Sequence, residues 1–329
     1  MGGLLFNLGR VSKERYQAIE NALIPHLDRT FGDYYKIPRY YANKPDFGDM
    51  DIIVSDKLIG HQWEQVRQQL IETLGIERYK STSKVFSTDY KGFQVDYFLV
   101  KHRYFESTYN FMCFNDLGNL IGKIYRRFNL KYGEEGLAYV YRRADGHYKK
   151  DLPITTDMAQ ICAFLALNYA QWKQGFESLE AMFRWIVASP YFSVAPYLTP
   201  TKKIEKRQKQ RKTIEAFINW LKQQNITKTY PFKEKEKYVE KIIQFFPEAQ
   251  LQTQIQVEQE KEAVAKQLAG KFNGHLVKQV TQLEGKALGA FINAYKQQIP
   301  DFEQFILART EAEITHHINT FFQIWQKSV

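Results

Sequence analysis

The chain has 329 residues, of which 44% are apolar and 15% aromatic, so it can bury cores for two domains and is not expected to be disordered. Its 46 Lys and Arg against 36 Asp and Glu give a formal net charge of +10, which favours a polyanionic partner. Its apolar runs fall short of the roughly 18 residues that a membrane helix needs. Cys113 and Cys162 lie in apolar stretches, as buried thiols do in a reducing compartment. We therefore expect a cytoplasmic protein without a membrane partner.

The N-terminal third alternates helical and extended patterns. Ser12 can cap a helix that runs to about Leu27, with apolar residues at helical spacing. A loop rich in Gly, Tyr and Pro follows at residues 31–48, and the apolar, β-branched run Met50–Val54 is typical of a strand. Further along, the patterns predict a helix and then the two strands of a hairpin, at residues 60–74, 84–88 and 93–100.

Helices are predicted for most of the remaining chain. One helix is expected at residues 116–131, ended by Gly133, and another at residues 156–167. Beyond about residue 175 the strand signals vanish and Gln- and Lys-rich helical stretches follow. The sequence therefore predicts an α+β fold, with a small mixed β-sheet and flanking helices followed by a mostly helical C-terminal domain. The expected domains are residues 1–115, 116–175 and 176–329.

Two carboxylates open the first predicted strand. Asp49 and Asp51 are two residues apart, so they project from the same face, while Met50 and Ile52 face the core. Adjacent carboxylates repel each other at a cost that rises as they lose water, and a divalent cation removes that cost. Gly48, just before them, lets a phosphate approach the backbone closely. The pattern predicts a metal site.

A third carboxylate lies in the second strand of the hairpin. Asp96 stands inside the apolar run Phe93–Val100, where an isolated charge would be expensive. If the two strands are neighbours, Asp49, Asp51 and Asp96 converge on one face. Three such carboxylates can hold two Mg²⁺ ions, or Mn²⁺ in their place, roughly 3.5–4 Å apart for in-line phosphoryl transfer. The alternative is a solvated strand end with a capped or salt-bridged Asp96.

These motifs resemble the nucleotidyltransferase superfamily and, within it, the catalytic core of the family X, beta-like DNA polymerases. The resemblance covers roughly residues 30–175, and it implies a palm in residues 1–115 and a helical nucleotide-binding subdomain in residues 116–175. It also implies that Asp49, Asp51 and Asp96 are the catalytic residues and bind both metal ions. The matching stretches are Gly48-Asp49-Met50-Asp51, Val95-Asp96-Tyr97, residues 119–126, Lys131-Tyr132-Gly133 and Glu135-Gly136-Leu137.

The resemblance further implies a set of nucleotide-binding residues. The helix after the palm would line the incoming nucleotide, with Asn119 near the base and Arg126 on the template side of the new pair. The family's Gly-Ser before the triphosphate site is replaced by Pro38-Arg39-Tyr40-Tyr41-Ala42-Asn43-Lys44, so basic residues of this stretch would supply the positive charge. The expected nucleotide-binding residues are Gly48, Arg39, Lys44, Asn119, Lys123 and Arg126.

The densest basic run lies in the C-terminal domain. Residues 202–212 hold seven positive charges and one negative charge. Such a run is typical of a charged helix face, but beside a nucleotidyltransferase domain it favours contact with a phosphate backbone. The expected nucleic-acid-binding residues are Lys202, Lys203, Lys206, Arg207, Lys209, Arg211 and Lys212.

Together these features predict an enzyme that transfers a nucleoside monophosphate from an NTP or dNTP to a nucleic-acid 3′-hydroxyl and releases pyrophosphate. Three alternatives stay open. The enzyme would extend RNA 3′ ends, as in tRNA repair, or it would transfer the nucleotide to a protein or a small molecule. In the third alternative, the protein binds nucleic acid without catalysis. The pattern leaves open whether a template is read.

Overall fold

The computed structural model describes residues 5–60, 62–82, 84–143, 146, 149–198 and 211–327. The chain divides into two compact units. One comprises residues 1–142 and 146–251, and the other comprises residues 143–145 and 252–329. The first unit therefore contains all the strands given below and continues beyond residue 175, where the sequence predicts a new domain.

Helices and short strands alternate in the first half of the chain. The strands are β1 (Val11–Ser12), β2 (Tyr35–Lys36), β3 (Asp46–Phe47), β4 (Asp49–Ser55), β5 (Tyr79–Ser81), β6 (Val85–Tyr90), β7 (Phe93–Val100), β8 (Leu130–Gly133), β9 (Gly136–Arg142) and β10 (Lys149–Thr155). The helices up to residue 198 are α1 (Lys13–Phe31), α2 (Asp56–Ile59), α3 (Trp63–Leu74), α4 (Phe105–Met112), α5 (Leu117–Tyr125), α6 (Met158–Phe164), α7 (Tyr169–Gln174), α8 (Leu179–Ala188) and α9 (Ala195–Leu198).

The later part of the chain is helical. Its helices are α10 (Lys212–Gln223), α11 (Val239–Phe245), α12 (Leu251–Lys271), α13 (Gly274–Thr281), α14 (Gly285–Gln298), α15 (Phe302–Leu307) and α16 (Glu311–Trp325). Short 3₁₀ turns occur at Gly32–Tyr34, His102–Tyr104, Arg126–Phe128, Lys235–Tyr238 and Pro247–Ala249. Among the described residues no strand follows Thr155, so the predicted change to helical structure is observed.

A five-stranded mixed sheet forms the centre of the first unit, in the order β2-β4-β7-β6-β5. β4 and β7 run parallel, and the other neighbours in this sheet are antiparallel. Two smaller antiparallel sheets accompany it: β1 pairs with β3, and β8, β9 and β10 form a three-stranded sheet. The predicted α+β class with a small mixed sheet is confirmed.

One face of the mixed sheet packs into a hydrophobic core of the first unit. Ile52 of β4 and Val95 and Tyr97 of β7 are all fully buried, and they pack in one cluster with apolar residues of α1 and α3. The predicted cap of α1 is present, since Ser12 Oγ accepts a hydrogen bond from Arg15 N at 3.3 Å. The buried positions of α1 recur at helical spacing, and they are Tyr16, Ile19, Leu23, Leu27 and Phe31.

The predicted helix over residues 116–131 is too long. α5 ends at Tyr125, and after one 3₁₀ turn Asn129 adopts a left-handed conformation with φ of 63°, which turns the chain out of the helix. Residues 130–133 then form β8, so the predicted role of Gly133 as a helix end is wrong. Leu130 and Tyr132 are buried while Lys131 is exposed, which is the alternation of a strand.

The second unit is helical and has its own core. Its core comprises Phe272, Val277, Phe291, Tyr295, Ile299, Ile306, Ile314, Ile318 and Phe322. In the first unit, Cys113 and Cys162 are both buried and unpaired, as predicted. Within the described ranges, no helix combines the length and the apolar character needed to cross a membrane.

Truncation at the centre of the sheet should destabilise the first unit. Ile52→Ala is expected to lower the free energy of unfolding by about 2–5 kcal/mol, because the shortened side chain leaves a cavity between β4 and the helices. Ile52→Val should cost only about 0.5–1.5 kcal/mol. Urea denaturation followed by circular dichroism measures both. Equal stabilities for the two variants would contradict this description of the core.

Candidate metal and nucleotide site

The three predicted carboxylates come together because of the register of the parallel pair. Asp51 of β4 lies directly opposite Asp96 of β7, and Asp49 lies opposite Gln94. All three acidic side chains lie on the sheet face opposite the core, because their neighbours in sequence fill the core. One ligand oxygen from each of Asp49, Asp51 and Asp96 lies within 4.8 Å of the others. The predicted convergence of the triad is observed.

Asp96 is the most buried member of the triad, with 8% of its surface exposed. Its Oδ2 accepts a hydrogen bond from Gln94 Nε2 at 2.8 Å, and Gln94 Oε1 in turn accepts one from Leu5 N at 3.2 Å. Its other oxygen, Oδ1, is buried and has no hydrogen-bond partner among the described residues. A buried acceptor without a partner is costly, and a water molecule or a bound cation would remove that cost.

Burial and mutual repulsion raise the pKa values of the triad. The pKa of Asp51 lies well above its ordinary value, because of burial first and then the charges of Asp49 and Asp96. Burial likewise raises the pKa of Asp96, although the nearby Ser87 side chain and the hydrogen bond from Gln94 oppose part of that effect. Burial also raises the pKa of Asp49, while Lys44 lowers it. The ionised forms are therefore unfavourable together without a counter-charge.

The residues present fit a divalent metal ion. Carboxylate oxygens are the ligands that Mg²⁺ and Mn²⁺ prefer. Asp49 and Asp51 are only partly buried and line a pocket, so an ion can reach them from solvent. A cation held by the triad would reduce the repulsion among the carboxylates and offer a partner to the unpaired oxygen of Asp96.

A pocket of about 800 Å³ opens in front of Asp49 and Asp51. Ligand pockets in proteins range over about 300–1,000 Å³, so this one has room for a nucleotide. Six of the residues predicted from the resemblance line it, together with other polar and aromatic side chains. Those six are Arg39, Lys44, Gly48, Asp49, Asp51 and Asn119.

Lys44 is the basic residue best placed to face an anion in this pocket. Its Nζ donates a hydrogen bond to Asn115 Oδ1 at 3.1 Å and lies 4.2 Å from the centre of the Phe47 ring. Burial lowers the pKa of Lys44 to about 8, and the charge of Asp49 opposes this shift. The ammonium group is thus held by a neutral amide and an aromatic face rather than by an ion pair, which leaves its charge available to a ligand.

Arg39 lines the same pocket but has its guanidinium engaged with the protein. Nη1 and Nη2 donate to the carbonyl oxygens of Lys173 and Trp172, at 2.6 and 3.1 Å, at the end of α7. The group also lies 4.8 Å from the Phe114 ring centre and 4.6 Å from that of Trp172. Its position stabilises the loop before β3, whereas contact with a nucleotide remains only a prediction.

The start of α5 forms the wall of the pocket together with the start of α10. Asn119 Nδ2 donates to Asp116 Oδ1 at 3.2 Å, and Arg211 forms an ion pair with the same Asp116 oxygen. Asn115 Nδ2 donates to Thr213 Oγ1 at 3.3 Å. The sequence did not identify Asn115 and Asp116 as site residues, because their partners lie about a hundred positions further along the chain.

Two predicted nucleotide-binding residues lie apart from the residues that line the pocket. Lys123 Nζ donates to Pro196 O at 3.4 Å and lies 4.7 Å from the centre of the Tyr197 ring. Burial, and to a smaller extent Arg126, lower the pKa of Lys123 to about 8. Arg126 is exposed at the far end of α5. The structure therefore does not bring Lys123 or Arg126 together with the carboxylates.

The predicted nucleic-acid-binding run is described only at its end. Residues 202–210 lie outside the described residues, and with them the predicted contacts of Lys202, Lys203, Lys206, Arg207 and Lys209. Arg211 and Lys212 both line the pocket in front of the carboxylates. Arg10, which the sequence analysis did not single out, lines it as well and pairs with Asp46 at 2.6 Å.

No family model matches the chain, and no curated protein is similar enough to count as a match. The geometry of the site is therefore the basis for assigning a function.

Divalent metal should stabilise the protein through the triad. We expect Mg²⁺ or Mn²⁺ to raise the Tm of the wild-type protein. At a metal concentration 100 times Kd, binding adds about 2.7 kcal/mol to the free energy of unfolding. Differential scanning fluorimetry against metal concentration measures this shift. The double variant Asp49→Asn/Asp51→Asn should lose it, whereas Asp33→Asn, at an exposed position, should keep it. Retention of the shift by the double variant would contradict metal binding here.

Without metal, neutralising Asp51 should stabilise the protein in a pH-dependent way. The pKa of Asp51 is raised in the folded state, so the wild-type protein loses stability as pH rises from about 4, the ordinary pKa of Asp, through the raised value. Asp51→Asn removes this loss. Thermal unfolding in EDTA should show the variant more stable at pH 7 and nearly equal to wild type near pH 4. A stability difference independent of pH would contradict the repulsion described above.

Proposed function

We propose that the protein is a metal-dependent nucleotidyltransferase. The observation that carries this proposal is the convergence of Asp49, Asp51 and Asp96 from two parallel strands, where Asp49 and Asp51 line a pocket with room for a nucleotide. A helix-backed mixed sheet that presents three carboxylates on the face opposite its core is also what the resemblance to a nucleotidyltransferase palm implies. The unpaired oxygen of Asp96 further supports a site built for a cation.

The side chains around the triad divide into those that hold phosphate and those that meet the rest of the nucleotide. Lys44, fixed by Asn115, directs positive charge to the pocket beside Asp49, where it would contact the triphosphate. Lys212 is exposed at the pocket and adds a second cation. Asn119 and Asp116 present an amide and a carboxylate that can pair with the polar edge of a base.

In the proposed reaction, the oxygen of an acceptor hydroxyl forms a bond to the α-phosphorus, and the bond from that phosphorus to the bridging oxygen of pyrophosphate breaks. The hydroxyl proton passes to a carboxylate of the triad or to water. Bound Mg²⁺ ions would make the hydroxyl more acidic and offset the charge of the leaving pyrophosphate. The protein's own share is to hold both reactants in line beside the triad.

Neutralising Asp96 should abolish transfer but preserve the fold. Asp96→Asn removes one charge and almost no volume, so we expect activity to fall by at least about 100-fold, the range for loss of one preorganised electrostatic group. Far-UV circular dichroism and Tm in EDTA check the fold, and Asp33→Asn is the matched control. Transfer at the wild-type rate by Asp96→Asn would refute the assignment of the triad.

The acceptor is tested by extension of labelled DNA and RNA primers, single-stranded or paired with a template, with Mg²⁺ or Mn²⁺ and each nucleotide separately. Extension dictated by the template base would indicate a polymerase of the family X type. Extension that ignores it would indicate a terminal transferase or an enzyme of RNA 3′ ends. Transfer to protein or small molecules alone would replace the nucleic acid as acceptor. Failure with every acceptor, with metal bound, would refute the proposed reaction.

A further inference from the structure

Four cations cluster on one surface of the first unit, away from the residues that line the pocket. Arg126 and Arg127 lie on the 3₁₀ turn after α5, Lys235 begins the turn Lys235–Tyr238, and Arg142 ends β9. All four are exposed, and none of them forms an ion pair with an acidic residue in the part of the chain that the structure describes. We call these four residues the basic surface.

Buried aromatic packing holds the two turns of this surface together. The ring of Phe128, which is fully buried, lies 4.7 Å from the ring of Tyr238 and 5.2 Å from that of Phe232. Strand β9 is tied to the same place, because Asn129 and Val140 exchange hydrogen bonds of 2.9 and 3.0 Å. The basic surface is therefore part of the folded unit, and its charges are kept close by the packing beneath them.

The like charges on this surface interact with one another. The pKa of Lys235 is lowered by burial and then by the charges of Arg142, Arg127 and, less strongly, Arg126, while Glu236 opposes the shift. Glu234, the other acidic neighbour in sequence, forms an ion pair with Lys237 at 3.5 Å. Concentrating cations in this way destabilises the protein unless an anion lies against them. A polyanion supplies that charge at several points at once.

Aromatic rings lie beside these cations. The Arg127 guanidinium lies 5.0 Å from the centre of the Phe232 ring. Two further rings continue from Phe232. The ring centres of Phe232 and Tyr230 are 4.7 Å apart, and those of Tyr230 and Tyr191 are 5.1 Å apart. All three rings are only partly buried. Unstacked bases bind to such rings, whereas the bases of a duplex are already stacked within it.

We propose that the basic surface and its three neighbouring rings bind single-stranded nucleic acid, with phosphates on the cations and bases on the rings. This surface lies at the opposite end of α5 from Asn119, which lines the pocket, and seven residues of helix span about 10 Å. This inference rests on the proposed function, in which the bound strand is the acceptor. The 3′ end of the strand would then reach the carboxylates, while the basic surface holds nucleotides further from that end.

The test is fluorescence anisotropy with labelled 20-nucleotide single strands and duplexes, over a range of salt concentrations and without nucleotide or metal. The variant Arg126→Gln/Arg127→Gln/Arg142→Gln is compared with Arg29→Gln/Lys80→Gln/Lys84→Gln, which removes the same charge from exposed positions elsewhere. We expect at least about tenfold weaker binding for the first variant. Its slope of log K against log salt should be shallower by about 0.7 for each phosphate that the protein no longer neutralises. The control variant should resemble wild type.

A second variant tests the rings separately. Tyr230→Leu/Phe232→Leu should weaken single-strand binding at least about fivefold and leave the salt slope unchanged, because stacking contributes affinity without releasing counterions. The proposal would be overturned if both charge variants weakened binding equally or if neither weakened it. It would also be overturned if a duplex bound as tightly as a single strand. Failure of the wild-type protein to bind any strand would overturn it too. Because binding is measured without catalysis, a protein that binds but never transfers would refute the proposed reaction and leave this surface standing.

Discussion

The site depends on the parallel pairing of β4 and β7, which sets Asp51 directly against Asp96. A slip of one residue would turn these carboxylates toward the core and bring apolar residues to the surface. Packing on the other face of the sheet prevents this slip, because Ile52, Val95 and Tyr97 are fully buried there against the helices. The hydrophobic core therefore forces together three charges that repel one another, and the free energy of packing offsets the repulsion.

The pocket is completed by segments that are distant in sequence. Backbone hydrogen bonds from Ala42 and Asn43 to the carbonyl oxygens of Phe176 and Glu177, at 2.8 and 2.9 Å, fix the loop that carries Lys44. On the other side, Arg211 and Thr213 are held to the start of α5 by Asp116 and Asn115. The segments that carry Lys44, Asn115 and Lys212 thus meet beside the carboxylates. A change in any one of them would alter the shape of the pocket without touching the triad.

Local sequence patterns predicted the elements that carry the triad. The strand Met50–Val54, the hairpin around Asp96 and the side-by-side projection of Asp49 and Asp51 all depend on residues close in sequence. The predictions were less accurate where tertiary contacts determine the local structure. Leu130 and Lys131 were predicted at the end of a helix but belong to β8, because they pair with β9 and because Asn129 takes a left-handed conformation. The Asp116–Arg211 pair joins residues 95 positions apart, and no local pattern indicates it.

The positive charge of the first unit is arranged differently at its two basic regions. Around the carboxylates the charges are mixed: Arg10 and Arg211 pair with Asp46 and Asp116, and Lys44 remains for a ligand. A small, highly charged group such as a triphosphate needs this kind of balance, since it must bind next to carboxylates and then leave. The basic surface at the other end of α5 has no such pairing among the described residues, and in our proposal it binds a chain of phosphates while the triphosphate binds beside the carboxylates. If both proposals hold, α5 links the two sites, with its first turn facing the nucleotide and its last turn leading into the surface that holds the acceptor.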